Sequence, residues 1–313
     1  MRGVGVNEFG DPDVLKVVEL SEVHAGTGEV RLRVHAAAVN PTDTVLRDGS
    51  RAQALRDIEP PYIPGMDAAG VIDEIGEGTE TNLQVGDRVM AMVIPYGSHG
   101  AYRESLVLSA DAVARAPAGT SHAEASALPM NVLTARLSLD QLALKPGQTL
   151  AVTGAAGAYG GYVIQLAKAE GLHVIADASS ADEQLVRDLG ADVVVSRGDH
   201  IAQRIREVAP DGVDGLADGA VQNELAVGAV KDGGAFAAVR GWRGTGERDI
   251  TFHATWVREY DHRADLLERL REQVEAGQVT LRVAATFPPE EAAEAHRRLE
   301  AGGTRGRCVI VFD

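Results

Sequence analysis

The chain has 313 residues, 45% of them apolar, and a formal net charge of −16. Length and apolar content fit about two globular domains rather than a disordered polymer. The acidic surplus is spread along the chain, which argues against nucleic acid and anionic membrane as partners, since both need a basic footprint. A single cysteine, Cys308, leaves no disulfide framework and suits a reducing, cytoplasmic compartment.

The N-terminal MRGVGVNEFG lacks a long apolar stretch, so no secretory signal is expected. Residues 1–120 read as β-rich and loop-rich. β-type runs at Val30–Ala38, Gly70–Ile75, Arg88–Ile94 and Tyr102–Leu108 are separated by turn signals such as Asn40-Pro41, Pro60-Pro61 and Gly86-Asp87. That spacing suits a partly closed barrel or sandwich. From 121 to 260 short apolar runs alternate with helical patterns. Strands are expected at Thr149–Thr153, His173–Asp177, Asp192–Ser196, Gly215–Asp218, Ala235–Val239 and Ile250–Ala254, with helices at Gly160–Glu170, Ala181–Leu189, Ile201–Val208 and Glu224–Val230. The alternation predicts an α/β fold with a doubly wound parallel sheet. The tail, 261–313, reads as a helix at Ala264–Ala276, a strand at Arg282–Phe287, a helix at Glu290–Glu300 and a strand at Cys308–Phe312.

Thr149 to Leu166, TLAVTGAAGAYGGYVIQL, is the most informative stretch. An apolar strand runs into a glycine-dense turn and then into a helix. Gly157 and Gly160 stand where the second and third glycines of a dinucleotide fingerprint stand, with Ala155 in place of the first. The helix start offers unpaired N–H groups and a positive dipole end to phosphate. Pro146–Ala167 carries no charged side chain and could span a bilayer by length. Its five glycines would break the backbone in lipid, so a membrane segment is not expected.

The segments AAAVNPTDTVLRDG (36–49), PYIPGMDAAGVIDEIGEG (61–78), VGDRVMA (85–91), ALPMNVLTA (127–135), the glycine-rich run and EAAEAHRRLEAGGTRGRCVIVF (291–312) together resemble the medium-chain dehydrogenase/reductase superfamily. Within it they are most similar to the zinc-independent quinone oxidoreductase branch. The resemblance implies a Rossmann dinucleotide-binding domain (121–260) and a GroES-like catalytic domain split in sequence (1–120 and 261–313). It implies an enzyme that passes a hydride from NADPH, with NADH as the other candidate, to a small quinone or α,β-unsaturated carbonyl. A homodimer is expected by analogy. The alternatives are a catalytically silent nucleotide-binding protein of the same fold and, last, a zinc-type alcohol dehydrogenase.

By resemblance the pyrophosphate lies near Ala156, Gly157, Ala158, Tyr159 and Gly160, with Thr134 and the segment Val239, Arg240 and Gly241 near the nicotinamide. Asn40 and Asp43 line the nicotinamide side and, with Tyr62, are the candidate catalytic residues; turn capping is the competing reading of Asn40 and Asp43. Ser179 and Ser180 match small polar residues that hold a 2′-phosphate. Arg197 could supply the cation that Glu183 removes from the family pattern. Asp177 lies one residue before the ribose-reading position, Ala178. No metal is expected: Met66 stands where zinc-dependent relatives place a histidine, Asn40-Pro41-Thr42-Asp43 has no cysteine, and the nine histidines show no ligand spacing.

Overall fold

The computed structural model describes residues 1–244 and 246–312. The chain divides into two compact units. One comprises Met1–Met130, Tyr260–Ala276 and the segment from Leu281 onward; the other comprises Asn131–Glu259 with Gly277–Thr280. The first unit thus extends ten residues past the expected boundary at 120.

The first unit opens with β1 (Arg2–Gly5), β2 (Lys16–Glu19) and the long β3 (Glu29–Ala38). Alternation of buried and exposed residues in β3 gives way to the sealed Ala36-Ala37-Ala38, so one strand serves first a half-buried and then a fully buried surface. Asn40 then caps α1 (Pro41–Arg47), with Pro41 at the first helical position. A short α2 (Ala52–Leu55), β4 (Asp67–Ile75), β5 (Arg88–Met92), β6 (Ser105–Ser109), β7 (Val113–Arg115) and α3 (His122–Ser126) follow. α3 packs on β3 and β4, which draws 121–130 into this unit. Tyr102 lies before β6 rather than in it. Val30, Leu32, Ile72, Val89, Leu106 and Ile310 form the apolar core.

In the second unit α4 (Pro129–Leu142) leads to β8 (Thr149–Thr153), α5 (Ala158–Ala169), β9 (His173–Ala178), α6 (Glu183–Asp188), β10 (Val193–Ser196), α7 (Ile201–Val208), β11 (Val213–Asp218), α8 (Glu224–Val227), β12 (Val230–Ala238) and β13 (Thr251–Ala254). The sheet is parallel throughout, in the order β10-β9-β8-β11-β12-β13. The order reverses between β8 and β11, the switch point at which open α/β sheets bind ligands. The helix expected over Glu224–Val230 is a single turn. Val230 instead pairs with Val213 and starts β12 five residues before the expected strand.

α9 (Ala264–Glu275), β14 (Val283–Phe287), α10 (Ala292–Ala301) and β15 (Arg307–Val311) return to the first unit. There β15 pairs antiparallel with the end of β3. Among the described residues no helix is long and apolar enough to cross a membrane.

Candidate dinucleotide site and a sealed polar network

The second unit builds its site from backbone. β8 ends at Thr153, and Gly154 takes the left-handed conformation, φ +67°. A Cβ there would sit 2.9 Å from the Gly219 carbonyl carbon, and one on Gly160 would sit 2.4 Å from the Gly154 carbonyl oxygen. The turn closes with the Gly157 N–H donating to the Gly154 carbonyl (2.9 Å). The first glycine of the fingerprint is therefore Gly154, in a G-x-x-G-x-x-G spacing, and Ala155 is no substitute for it. Gly157 is the N-cap of α5 and, having no side chain, makes no side-chain cap bond to the amides of the first turn. The glycines let this turn pack backbone against backbone at the start of α5, a geometry that fits a pyrophosphate.

Across the switch point, buried Asp218 organises the loop after β11. Its Oδ1 accepts from the Thr153 hydroxyl (2.5 Å) and the Gln222 N–H (3.1 Å), and its Oδ2 from the Asn223 N–H (2.7 Å). Thr153, Gly154, Asp218 and Gly219 are not among the site residues expected from the sequence, although Thr153 and Asp218 end expected strands. The Asp-Gly pair directly after an apolar run was the available signal.

At the carboxyl end of β9, Asp177 turns inward: its Oδ1 accepts from the Ala155 N–H at 3.0 Å. Burial pushes its pKa up, against the pull of the turn amides and of the Arg197 charge. A carboxylate so engaged ties the glycine turn to β9 instead of reaching outward for a ribose. Ser179 donates to the buried Asp182 carboxylate (2.5 Å), while Ser180 and Arg197 are exposed. The Arg197 N–H donates to the Ala178 carbonyl (3.0 Å), which brings Arg197 beside Ser179 and Ser180. Glu183 is paired with Arg187 (2.7 Å).

Tyr159 packs its ring against Gly219, and its hydroxyl meets Ser138 Oγ (2.7 Å) rather than projecting from the turn. Thr134 is buried on α4, with its carbonyl accepting from Ser138 (3.0 Å). Val239, Arg240 and Gly241 form a tight turn after β12. Arg240 is held at φ +63°, and a Cβ on Gly241 would meet the Trp256 ring at 2.4 Å.

The first unit builds the opposite kind of centre, from buried side chains. Asn40 Nδ2 donates to Asp67 Oδ2 (2.7 Å) and to the Ala38 carbonyl (3.3 Å), while its N–H donates to Asp43 Oδ2 (2.8 Å). Asp43 also accepts from the Gly65 N–H (3.0 Å) and the Tyr102 hydroxyl (3.0 Å); Tyr102 meets His296 Nε2 at 3.2 Å. Asp67 Oδ1 accepts from the Met130 N–H (2.6 Å). Desolvation raises Asp43 to about 6 and Asp67 to about 7, and lowers His296 to about 3. Asn40 and Asp43 are thus buried in one network: the Asp43 carboxylate takes the Asn40 N–H at the start of α1, while the Asn40 side-chain amide turns to Asp67. Tyr62 donates its hydroxyl to the Ile58 carbonyl (2.8 Å) and stacks on Phe9 (5.2 Å), a packing role rather than a proton donor's. The structure brings Asn40 and Asp43 together and leaves Tyr62 outside their network.

The profile described as "Alcohol dehydrogenase GroES-like domain" matches residues 26–118, and the one described as "Zinc-binding dehydrogenase" matches 189–310. The "Quinone oxidoreductase" of Rattus norvegicus is 31% identical over 342 residues, covering 100% of this chain and 98% of its own. The chain belongs to the medium-chain dehydrogenase/reductase superfamily. The "NADPH-dependent alkenal/one oxidoreductase, chloroplastic" of Arabidopsis thaliana is 30% identical, covering 99% of this chain and 79% of its own. Mycobacterial Rv1454c complexed with NADPH superposes with a TM-score of 0.87 at 25% identity, each chain covered in full. As a superfamily member the protein is an oxidoreductase.

In this oxidoreductase, Met66 is buried and its thioether accepts from the Thr42 hydroxyl (2.9 Å). Cys308 lies buried in β15. Among the described residues no three His, Cys, Asp or Glu side chains converge on a point where an ion could sit.

Proposed function

We propose that this chain is a zinc-independent, NADPH-dependent reductase of quinones or α,β-unsaturated carbonyls. The observation that carries this reading is the glycine cradle of Gly154, Gly157 and Gly160, backed by Gly219 at the switch point of the sheet. When bound, the nicotinamide supplies a hydride to an electron-poor acceptor. The chain's part is to hold and orient. Ala156 to Gly160 would take the pyrophosphate, and Ser179, Ser180 and Arg197 the 2′-phosphate. Asp177 supports NADPH over NADH because its carboxylate is committed to Ala155. Zinc independence draws support from the buried Met66–Thr42 contact. The acceptor class rests on the quinone and alkenal/one oxidoreductases among the relatives. Proton supply by water suits a first unit whose candidate catalytic side chains face inward.

The reading carries with it a small-molecule substrate, a cytoplasmic location and a homodimer. The net charge of −16 supports the absence of nucleic acid or membrane partners. The deciding experiment follows NADPH and NADH oxidation over a panel of 1,2- and 1,4-quinones and alkenones, with chelator present. Turnover that prefers NADPH and ignores chelator is expected; loss of turnover on chelation would overturn zinc independence. A second reading, nucleotide binding without turnover, draws on the inward-facing Asn40, Asp43 and Tyr62. It predicts a thermal shift with NADPH and no oxidation of it by any acceptor.

A further inference from the structure

The first unit carries a second cluster of charge chemistry, separate from the sealed network and opposite in sign to the chain as a whole. On β3, Arg33 pairs with Val71 of β4, and Val71 pairs with Arg88 of β5. The two arginines therefore sit in one cross-strand row, two strand spacings or about 10 Å apart. Both are exposed, and among the described residues neither is in an ion pair; Arg88 donates to the Thr120 carbonyl. Two residues beyond Arg33, the register between β3 and β4 shifts, leaving His35 as an extra residue between Val34 and Ala36. Such a bulge re-aims a side chain. The His35 ring stacks on that of His122, the first residue of α3, with centroids 4.6 Å apart and planes 13° from parallel.

What acts on these imidazoles is one-sided. Burial lowers both, His122 to about 4, and among the described residues the charges that pull on them are positive: Arg33 and Arg88 on each, with His35 acting on His122 as well. Among the described residues no carboxylate is a resolved cause of either shift, although α3 packs on β3, β4, β5, β14 and β15. Glu124 of α3 is turned back onto Ser121, and Asp87 beside Arg88 is engaged by Arg115. His122 Nδ1 is buried without a hydrogen-bond partner among the described residues. In a chain with sixteen surplus negative charges, four cationic or potentially cationic groups gathered without a carboxylate leave an anion's place open.

We propose that Arg33, His35, Arg88 and His122 form a binding site for a phosphate group. The arginines provide the charge-assisted donors, and the stacked imidazoles take up protons as the anion arrives. The chemistry is that of a phosphate anion, whether inorganic phosphate or the phosphomonoester of a nucleotide. It makes no use of the glycine cradle of the second unit, so it stands or falls apart from the oxidoreductase reading.

The test is histidine NMR on the full chain, with His35 and His122 assigned from His35→Asn and His122→Asn. Inorganic phosphate and adenosine 3′,5′-bisphosphate are compared with chloride at matched ionic strength. Millimolar phosphate should raise the titration midpoints of both rings by about one pH unit. The double variant Arg33→Gln with Arg88→Gln, both at exposed positions and with its fold checked by circular dichroism, should abolish the rise. Response to the bisphosphate at about tenfold lower concentration identifies a nucleotide phosphomonoester as the source; equal response identifies free phosphate. Midpoints unmoved by either ligand, moved equally by chloride, or moved equally in the double variant overturn the proposal.

Discussion

The two units handle polarity in opposite ways. The second leaves backbone bare: glycines strip the side chains from the end of β8 and the loop after β11, and the helix start stays uncapped by any side chain. The first buries polar side chains and bonds them to one another, from Asn40 through Asp43 and Asp67 to Tyr102 and His296, whose Nδ1 alone of this chain of contacts is left without a partner among the described residues. A helix start without a side-chain cap suits an anionic ligand, whereas carboxylates that already accept hydrogen bonds need none. Under the proposed function, dinucleotide binding falls to the second unit, while the polar centre of the first is a buried hydrogen-bonded network.

The sharpest break of this contrast is Gly154→Ala. The left-handed backbone costs an alanine about 1–2 kcal/mol, and its Cβ would press on Gly219. NADPH affinity should fall at least about 100-fold by fluorescence titration, which is about 2.7 kcal/mol. Unchanged affinity would show that phosphate is held elsewhere.

Arg197→Gln comes next. It should lower the ratio of NADPH to NADH affinity about tenfold, the worth of one charge-assisted contact, and leave NADH binding in place. An equal loss for both nucleotides would assign Arg197 to the fold instead.

The first unit should answer to pH rather than to nucleotide. Asp67 has a folded pKa of about 7 because of burial, far above its unfolded value. Between about pH 4 and 7 the folded chain holds a proton that the unfolded chain has released. The contribution of Asp67 is therefore fully present below its unfolded pKa and fades as pH rises through 7. Asp67→Asn removes that slope, so its Tm relative to the parent should climb from pH 5 to pH 8 even if it starts lower. His296 runs the other way. Burial lowers it to about 3, so it costs stability as pH falls from about 6.5. His296→Gln should gain on the parent toward pH 4.

The smallest effect is expected of Tyr62→Phe. It removes one hydrogen bond to Ile58 and keeps the stack on Phe9. Stability should drop by about 1 kcal/mol, with kcat unchanged; a collapse of kcat would restore Tyr62 to the chemistry.

Much of the fold was legible. The strand at Thr149–Thr153 and the helix at Ile201–Val208 lie where the apolar pattern places them, because period and turn residues act locally. The misreadings share a cause. Val230 looks like a helix end until Val213 pairs with it. Ala235 looks like the start of its strand until the pairing of Val230 with Val213 brings that start forward.

By itself the sequence determined a strand, a glycine turn and a helix in the order that exposes amides, since sterics and periodicity need only neighbouring residues. Tertiary structure alone decided that Asp177 faces its own turn and that Tyr102 meets His296, a partner 194 residues away. Such contacts are set by which faces the sheets bury together, a property no local window of residues contains.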